Sequence, residues 1–243
     1  MAYRSIINGQ AGKAAIAAAI AALGPLENVQ TVPAEIIAYY EPRVPGVLVD
    51  VWENYGIGDL AQGRLRFCIP GAFNPVVAQL FGNDPYFANQ VQVVAYGAFG
   101  DLILWHEKYQ IVSVNMQLSS VEMPAFFNPA LFGPADQVLY ERLLQMHPNT
   151  MDAYDADGDP MFDRAKDAMG PLAELQIYGM QPPAPFHEAF TLDNHKPVDV
   201  TEWLSQKIAA SVFTLDDPAG GRFAVRPIGP LQTGEVLRQP GEL

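Results

Sequence analysis

Residues 91–116 read VQVVAYGAFGDLILWHEKYQIVSVNM, and this stretch decides the fold. Three β-rich runs, Val91–Tyr96, Asp101–His106 and Gln110–Met116, are separated only by Gly97–Gly100 and by the turn at Glu107–Lys108. Branched and aromatic side chains suit a pleated surface, whereas glycine and short charged pairs suit turns. Spacing this close leaves room for hairpins but not for a crossover helix, and so predicts an antiparallel meander. A fourth run, Arg64–Ile69, reads as a strand that precedes it. Between them, Asn74–Phe81 reads as a short helix with Asn74 as N-cap and Pro75 at the first position.

Upstream, Ala14–Leu23 (AAIAAAIAAL) is mostly alanine, the best helix former, and Gly24–Pro25 is a helix stop. Pro33 opens a second helix with Ile36, Ile37 and Tyr40 on one face. Pro45 opens a third through Val47, Leu48, Val51 and Trp52 to Tyr55. Helices that can cover a following antiparallel sheet define an α+β fold. Downstream, Pro124–Pro134 has no periodicity and is placed as a junction. Beyond it, helices are expected over Asp136–Met146, from the Asp159–Pro160 cap to Met169, and over Thr201–Ala210 with Thr201 as N-cap. Short strands are expected at Glu174–Tyr178 and Phe223–Arg226. The expected organisation is an α+β domain over 1–125 and a smaller, mostly helical domain over 135–230. A flexible tail follows over 231–243.

The chain has 243 residues, 49 % hydrophobic and 17 % charged, with a formal net charge of −13. That much apolar content excludes an intrinsically disordered chain, despite the charge. The acidity opposes direct binding to nucleic acid or anionic membranes, and suits either a cationic protein partner or solubility alone. It is uneven: residues 1–130 carry ten acidic and six basic side chains, and residues 131–243 carry seventeen and eight. The densest part is Asp152–Asp167, with six aspartates against Arg164 and Lys166. A single cysteine, Cys68, excludes an intrachain disulfide and a cysteine-rich metal site, and its apolar run predicts a buried thiol. The outline of Ala14–Leu23 resembles a signal peptide but is too weakly hydrophobic. No stretch reaches the ~18 apolar residues that span a bilayer. The expected compartment is the cytoplasm.

Catalytic and metal motifs fail in turn. Asp155-x-Asp157-x-Asp159 has calcium-loop spacing, but the positions that call for Gly and Glu hold Pro160 and Lys166. His106, His147, His187 and His195 form no zinc pattern, no serine sits in GxSxG, and neither a phosphate loop nor a dinucleotide loop occurs. The expectation is therefore no catalytic, cofactor-binding or metal-binding residues, hence not an enzyme. An enzyme would need a cleft where His106 meets Asp101 or Glu107. Two acidic and aromatic clusters stand out as partner-binding candidates: Asp50, Trp52, Glu53, Tyr55 and Asp59, and the Asp152–Asp167 run with Asp152, Asp155 and Asp157. Asp101, in Phe99–Gly100–Asp101, reads as a hairpin residue or a contact.

The pattern Leu23–Gly24–Pro25, Val32–Pro33-x-Glu35–Ile36-x-x-Tyr39, Pro45, Trp52–Glu53-x-Tyr55–Gly56 and Ala98–Phe99–Gly100–Asp101–Leu102-x-Leu104–Trp105-x-Glu107 resembles the GAD-like domain. Asp157–Gly158-x-Pro160-x-Phe162-x-Arg164–Ala165, Gly170–Pro171–Leu172, Tyr178–Gly179-x-x-Pro182 and Thr191–Leu192-x-Asn194 resemble the domain that follows it in type VI secretion immunity proteins. Together the matches span about residues 20–210. The resemblance implies a cytoplasmic immunity protein, or antitoxin. Such a protein binds the toxin domain of a cognate secreted DNase, with no cofactor and no direct nucleic-acid or membrane contact. The alternative is a regulatory module that binds a small molecule or peptide and has no toxin partner. The segment Pro183–Ala184–Pro185–Phe186–His187–Glu188 and the chain beyond Phe213 depart from the pattern, and are open to partner specificity or to drift.

Overall fold

The expected meander is present in the computed structural model, which describes residues 17–18, 20–21, 23–145, 148–183 and 190–230. Its strands are β4 (Val91–Gly97), β5 (Leu102–His106) and β6 (Gln110–Asn115), paired antiparallel in sequence order. Before them come β1 (Glu27–Gln30), β2 (Ile57–Leu60) and β3 (Leu65–Phe67), and after them β7 (Ser120–Glu122). All seven belong to one antiparallel sheet.

The expected α+β class holds, but the part beyond residue 125 is richer in strand than the sequence suggests. Residues 135–230 hold β8 (Gln176–Met180), β9 (His195–Asp199), β10 (Thr214–Asp217) and β11 (Arg222–Pro227). Strands β8 and β9 form a separate two-stranded sheet. Strand β10 pairs parallel with β7, and β11 pairs antiparallel with β10, so the large sheet runs across the interval expected to be a junction. The physical reason is the edge of β7: its backbone groups need partners, and β10 supplies them.

The described helices of four residues or more are α1 (Ala34–Tyr40), α2 (Gly46–Asn54), α3 (Asn74–Phe81), α4 (Pro124–Phe127), α5 (Ala135–Leu144), α6 (Phe162–Met169) and α7 (Val200–Ala210). Residues 17, 18, 20 and 21 are helical, as expected for the alanine-rich segment. Its residues 14–16, 19 and 22 lie outside the described residues, as do Met146, His147, residues 184–189 and the expected tail 231–243.

Alternation along the strands creates two cores, one on each face of the sheet. Leu102 and Leu104 of β5 belong to a core with Phe73 and Phe81 of the α3 region and Trp203 of α7. Ile103 and Trp105 point the other way, toward a core with Val47 and Val51 of α2 and Leu139 of α5.

Some local expectations change. Asn74 is the first residue of α3 rather than its cap, and its Nδ2 donates to Tyr40 Oη (3.1 Å). Helix α7 starts one residue before Thr201. Asp199 is its cap and accepts from the Glu202 N–H (2.9 Å), while Thr201 Oγ1 donates to the same carboxylate.

The small sheet is fastened to the meander by Tyr178 N–H donating to Ala98 O (2.8 Å) and by the Trp203 ring, which lies over Gly100. Gly100 has φ +96°, and a Cβ there would sit 2.9 Å from Trp203 Cζ3 and 3.2 Å from Ile177 Cδ1. Gly100→Ala should therefore destabilise the fold by about 2 kcal/mol or more, from overpacking and positive φ together. Urea unfolding would show this as a lower midpoint at an unchanged slope.

Candidate binding sites

The acidic run 152–167 is an ordered turn. Asp155 Oδ1 accepts from the Asp157 and Asp159 N–H groups (3.1 and 2.9 Å), and Gly158, at φ +84°, closes the turn back onto Asp155 O. Arg164 Nη1 pairs with Asp155 Oδ2 at 2.5 Å. The Arg164 hydrogen bond, then the backbone donors, hold the Asp155 carboxyl below its usual range. The turn spends Asp155 on itself and leaves Asp157 and Asp159 exposed beside Tyr154, which is 40 % exposed.

Asp152 has a different task. Its Oδ1 accepts from the Met161 and Phe162 N–H groups (3.1 and 2.8 Å), so it caps α6 from nine and ten residues upstream, a role expected of Asp159–Pro160. Arg64 Nε stands 3.7 Å from Asp152, its Nη2 is 2.6 Å from Asp163, and its guanidinium lies over the Phe162 ring. Burial raises the Asp152 pKa, opposed by these backbone donors and by Arg64.

The other candidate cluster is divided by the fold. Asp50 and Trp52 are buried on α2, and Trp52, 3 % exposed, belongs to the core. Glu53 is exposed and Tyr55 half-buried. Asp59, on β2, is buried. It takes Asn28 Nδ2 at 2.7 Å and faces Arg66 Nε at 2.9 Å, while the Arg66 Nη groups donate to the carbonyls of Leu172, Ala173 and Gln176. This pair ties β2 and β3 to the segment before β8.

Asp101 lines a cavity of about 280 Å³ on the sheet face that carries α5. Its Oδ1 accepts from the Met116 N–H (2.7 Å), the carboxylate's one hydrogen bond among the described residues. Burial raises its pKa to about 6, against the lowering effect of that bond. Glu122 of β7, Arg142 of α5 and Asp152 share the cavity, with Leu65 and Ile103 among its apolar walls. The Glu122 pKa is raised by burial and by Asp216, and lowered by Arg142. Burial lowers the Arg142 pKa, with Glu122 opposing, and Arg142 Nε has no hydrogen-bond partner among the described residues. The sequence reading missed Glu122 and Arg142: each is one charged residue on an alternating strand or amphipathic helix, with no motif around it.

His106 and Asp101 lie at opposite ends of β5 and do not converge. The His106 ring is fully buried, with Nδ1 accepting from the Lys108 and Tyr109 N–H groups (2.9 and 3.1 Å), so its Nε2 carries the proton and donates to Tyr86 O (2.7 Å). Burial lowers its pKa, which keeps it neutral and structural. Cys68 is buried with its thiol pushed up to about 12 by burial, and its Sγ donates to Val93 O (3.4 Å). No group of three or more His, Cys, Asp or Glu side chains among the described residues is arranged to hold a metal ion. No described helix is long and apolar enough to cross a membrane.

These features define an α+β protein with an ordered acidic turn and a charged cavity, and the comparisons place its first half. The family model of the GAD-like domain matches residues 14–118, so this part of the chain is a GAD-like domain. Among solved structures, Atu4351 from Agrobacterium tumefaciens is similar at 28 % identity and a TM-score of 0.77. The alignment covers 86 % of this chain and 96 % of that one, so the shared architecture extends well past the GAD-like domain. No curated protein matches.

Proposed function

We propose that the protein is a non-catalytic, cytoplasmic immunity protein that binds and neutralises a cognate type VI secreted DNase domain by protein–protein contact. The observation that carries this reading is the acidic turn, whose geometry is fixed by Asp155 while Asp157 and Asp159 face solvent. A DNase must be basic where it holds phosphates, and an acidic surface competes for that position and is steered to it. A turn already held by its own hydrogen bonds loses little conformational entropy on binding. Tyr154 beside it supplies the aromatic body that interface anchors need. The GAD-like domain and the resemblance of residues 157–194 to the immunity C-terminal domain supply the family context.

Co-expression with a cognate secreted DNase domain should rescue growth and yield a complex. Toxin association should slow with added salt. Asp157→Asn with Asp159→Asn should slow it by about threefold or more at low salt, with a smaller effect on dissociation, because rim charges act on encounter. Cell death without a recoverable complex would overturn the reading for that toxin. A salt-independent association rate would remove the electrostatic part of it.

A further inference from the structure

Asp152 caps α6 and Glu122 faces Arg142, but nothing among the described residues offsets the charge of Asp101 in the same cavity. Carboxylates reach it from three elements: Asp101 from the turn before β5, Glu122 from β7, and Asp152 from the segment before α6. Two of them have a cation nearby. Asp152 has Arg64, although Arg64 makes its shorter contact with Asp163, and Glu122 has the opposing charge of Arg142. Asp101 has no Lys, Arg or His within ion-pair distance among the described residues, and one backbone donor satisfies only its Oδ1. Asp101 is half-buried, and a carboxylate withdrawn from water without a counter-charge is costly to keep ionised.

We propose that this cavity is a binding site for an organic cation, a primary amine or guanidinium on a short aliphatic stem, seated against the Asp101 carboxylate. The cavity volume of about 280 Å³ is at the small end for ligand sites, which suits a stem of a few methylenes. Leu65, Ile103 and Met151 offer apolar wall for that stem, and Ser113 and Asn115 offer polar contacts beside the head. Arg64 faces Asp152 and Arg142 faces Glu122, which leaves Asp101 as the carboxylate without a counter-charge and favours a cation beside it. The carboxylates come from separate walls and do not form a three-ligand metal cluster, whereas an organic cation with several N–H donors tolerates that spread. The ligand can be a free metabolite or a Lys or Arg side chain of a bound protein. The site stands independently of the immunity reading, because its ligand is read from the cavity alone.

The raised pKa of Asp101 gives binding a direction with pH. The charged groups that face it are Glu122 from β7, Arg142 from α5 and Asp152 from the segment before α6. A cation binds the ionised carboxylate, so affinity is full above about pH 6 and falls as pH drops through that value.

The test is calorimetric titration of the full chain with agmatine, with a blocked Ala-Arg-Ala peptide and with glutarate, at pH 7.5 and pH 5. Agmatine should bind one-to-one and saturably at pH 7.5, and several-fold more weakly at pH 5. Asp101→Asn keeps an oxygen to accept the Met116 N–H but removes the charge, so it should weaken binding about tenfold or more, with unchanged amide spectra away from the cavity. Glu122→Gln should weaken it less. Tighter agmatine assigns a free metabolite, and a tighter peptide assigns a protein side chain. Absence of saturable binding by either cation, tighter binding of glutarate, or full affinity in Asp101→Asn would each overturn the proposal.

Discussion

Asp101→Asn should stabilise the protein by about 3 kcal/mol at pH 7.5 and by almost nothing at pH 4. The Asp101 carboxyl titrates at about 6 in the fold against an ordinary value of 3.8. An acid whose folded pKa is raised holds its proton more tightly in the native state than in the unfolded one. Its contribution is therefore unpenalised below about pH 4, declines as pH rises from there to about 6, and stays at its lowest above that. The interval between those two values corresponds to about 3 kcal/mol, at about 1.4 kcal/mol for each tenfold change in proton affinity. Asparagine cannot ionise and can still accept from the Met116 N–H, so the variant keeps the bond and loses the penalty. Urea unfolding at the two pH values measures the difference directly. A variant less stable than the parent at pH 7.5 would mean that the charge contributes more to the fold than burial takes away. The same experiment bears on the cavity, since agmatine at a given concentration should stabilise the parent more than the variant, narrowing the gap between them by mass action.

The meander was legible because its signal is local: residues 91–116 alternate across two buried faces, and every turn lies within the same 26-residue stretch. Beyond residue 190, β11 is expected as Phe223–Arg226, but β9 and β10 were not legible in that way. Strand β10 is Thr-Leu-Asp-Asp, poor in β-forming residues, and it is a strand because the open edge of β7, almost a hundred residues earlier, needs partners. The candidate site divides along the same line. The compact turn at Asp155–Asp159 follows from aspartate and glycine spacing. The burial of Trp52 and Asp59, however, follows from which helix and strand cover them. The cap of α6 by Asp152, and the meeting of Asp101, Glu122 and Arg142 in one cavity, are tertiary facts between residues that carry no motif. An isolated charged side chain in a sequence reads as solvated surface, and only the fold shows which ones have lost their water.

Removing either partner of the Asp84–Arg226 pair should be the most damaging single change, at about 3–5 kcal/mol, because it strands a buried charge. Asp84 is fully buried in the loop after α3, and the Arg226 side chain on β11 is 4 % exposed. The guanidinium is bidentate, with Nη1 on Oδ2 at 2.5 Å and Nη2 on Oδ1 at 3.0 Å, and Tyr86 N–H and Gly229 N–H also donate to the carboxylate. Arg226 further donates to Pro227 O and lies over the Tyr86 ring. Strand β11 is otherwise exposed, including Phe223 and Val225, and among the described residues pairs on one side only, with β10. The pair thus ties the last described strand directly to the loop after α3, in addition to its pairing through β10 to β7. Arg226→Met should lower the unfolding midpoint and free the β11 amides to exchange well before those of β4. Asp84→Leu combined with Arg226→Met should cost clearly less than the two single changes added together, since it removes both charges at once and leaves apolar groups in their place. Strictly additive costs would mean that the two side chains act through separate contacts, and that the ion pair is not what fastens β11.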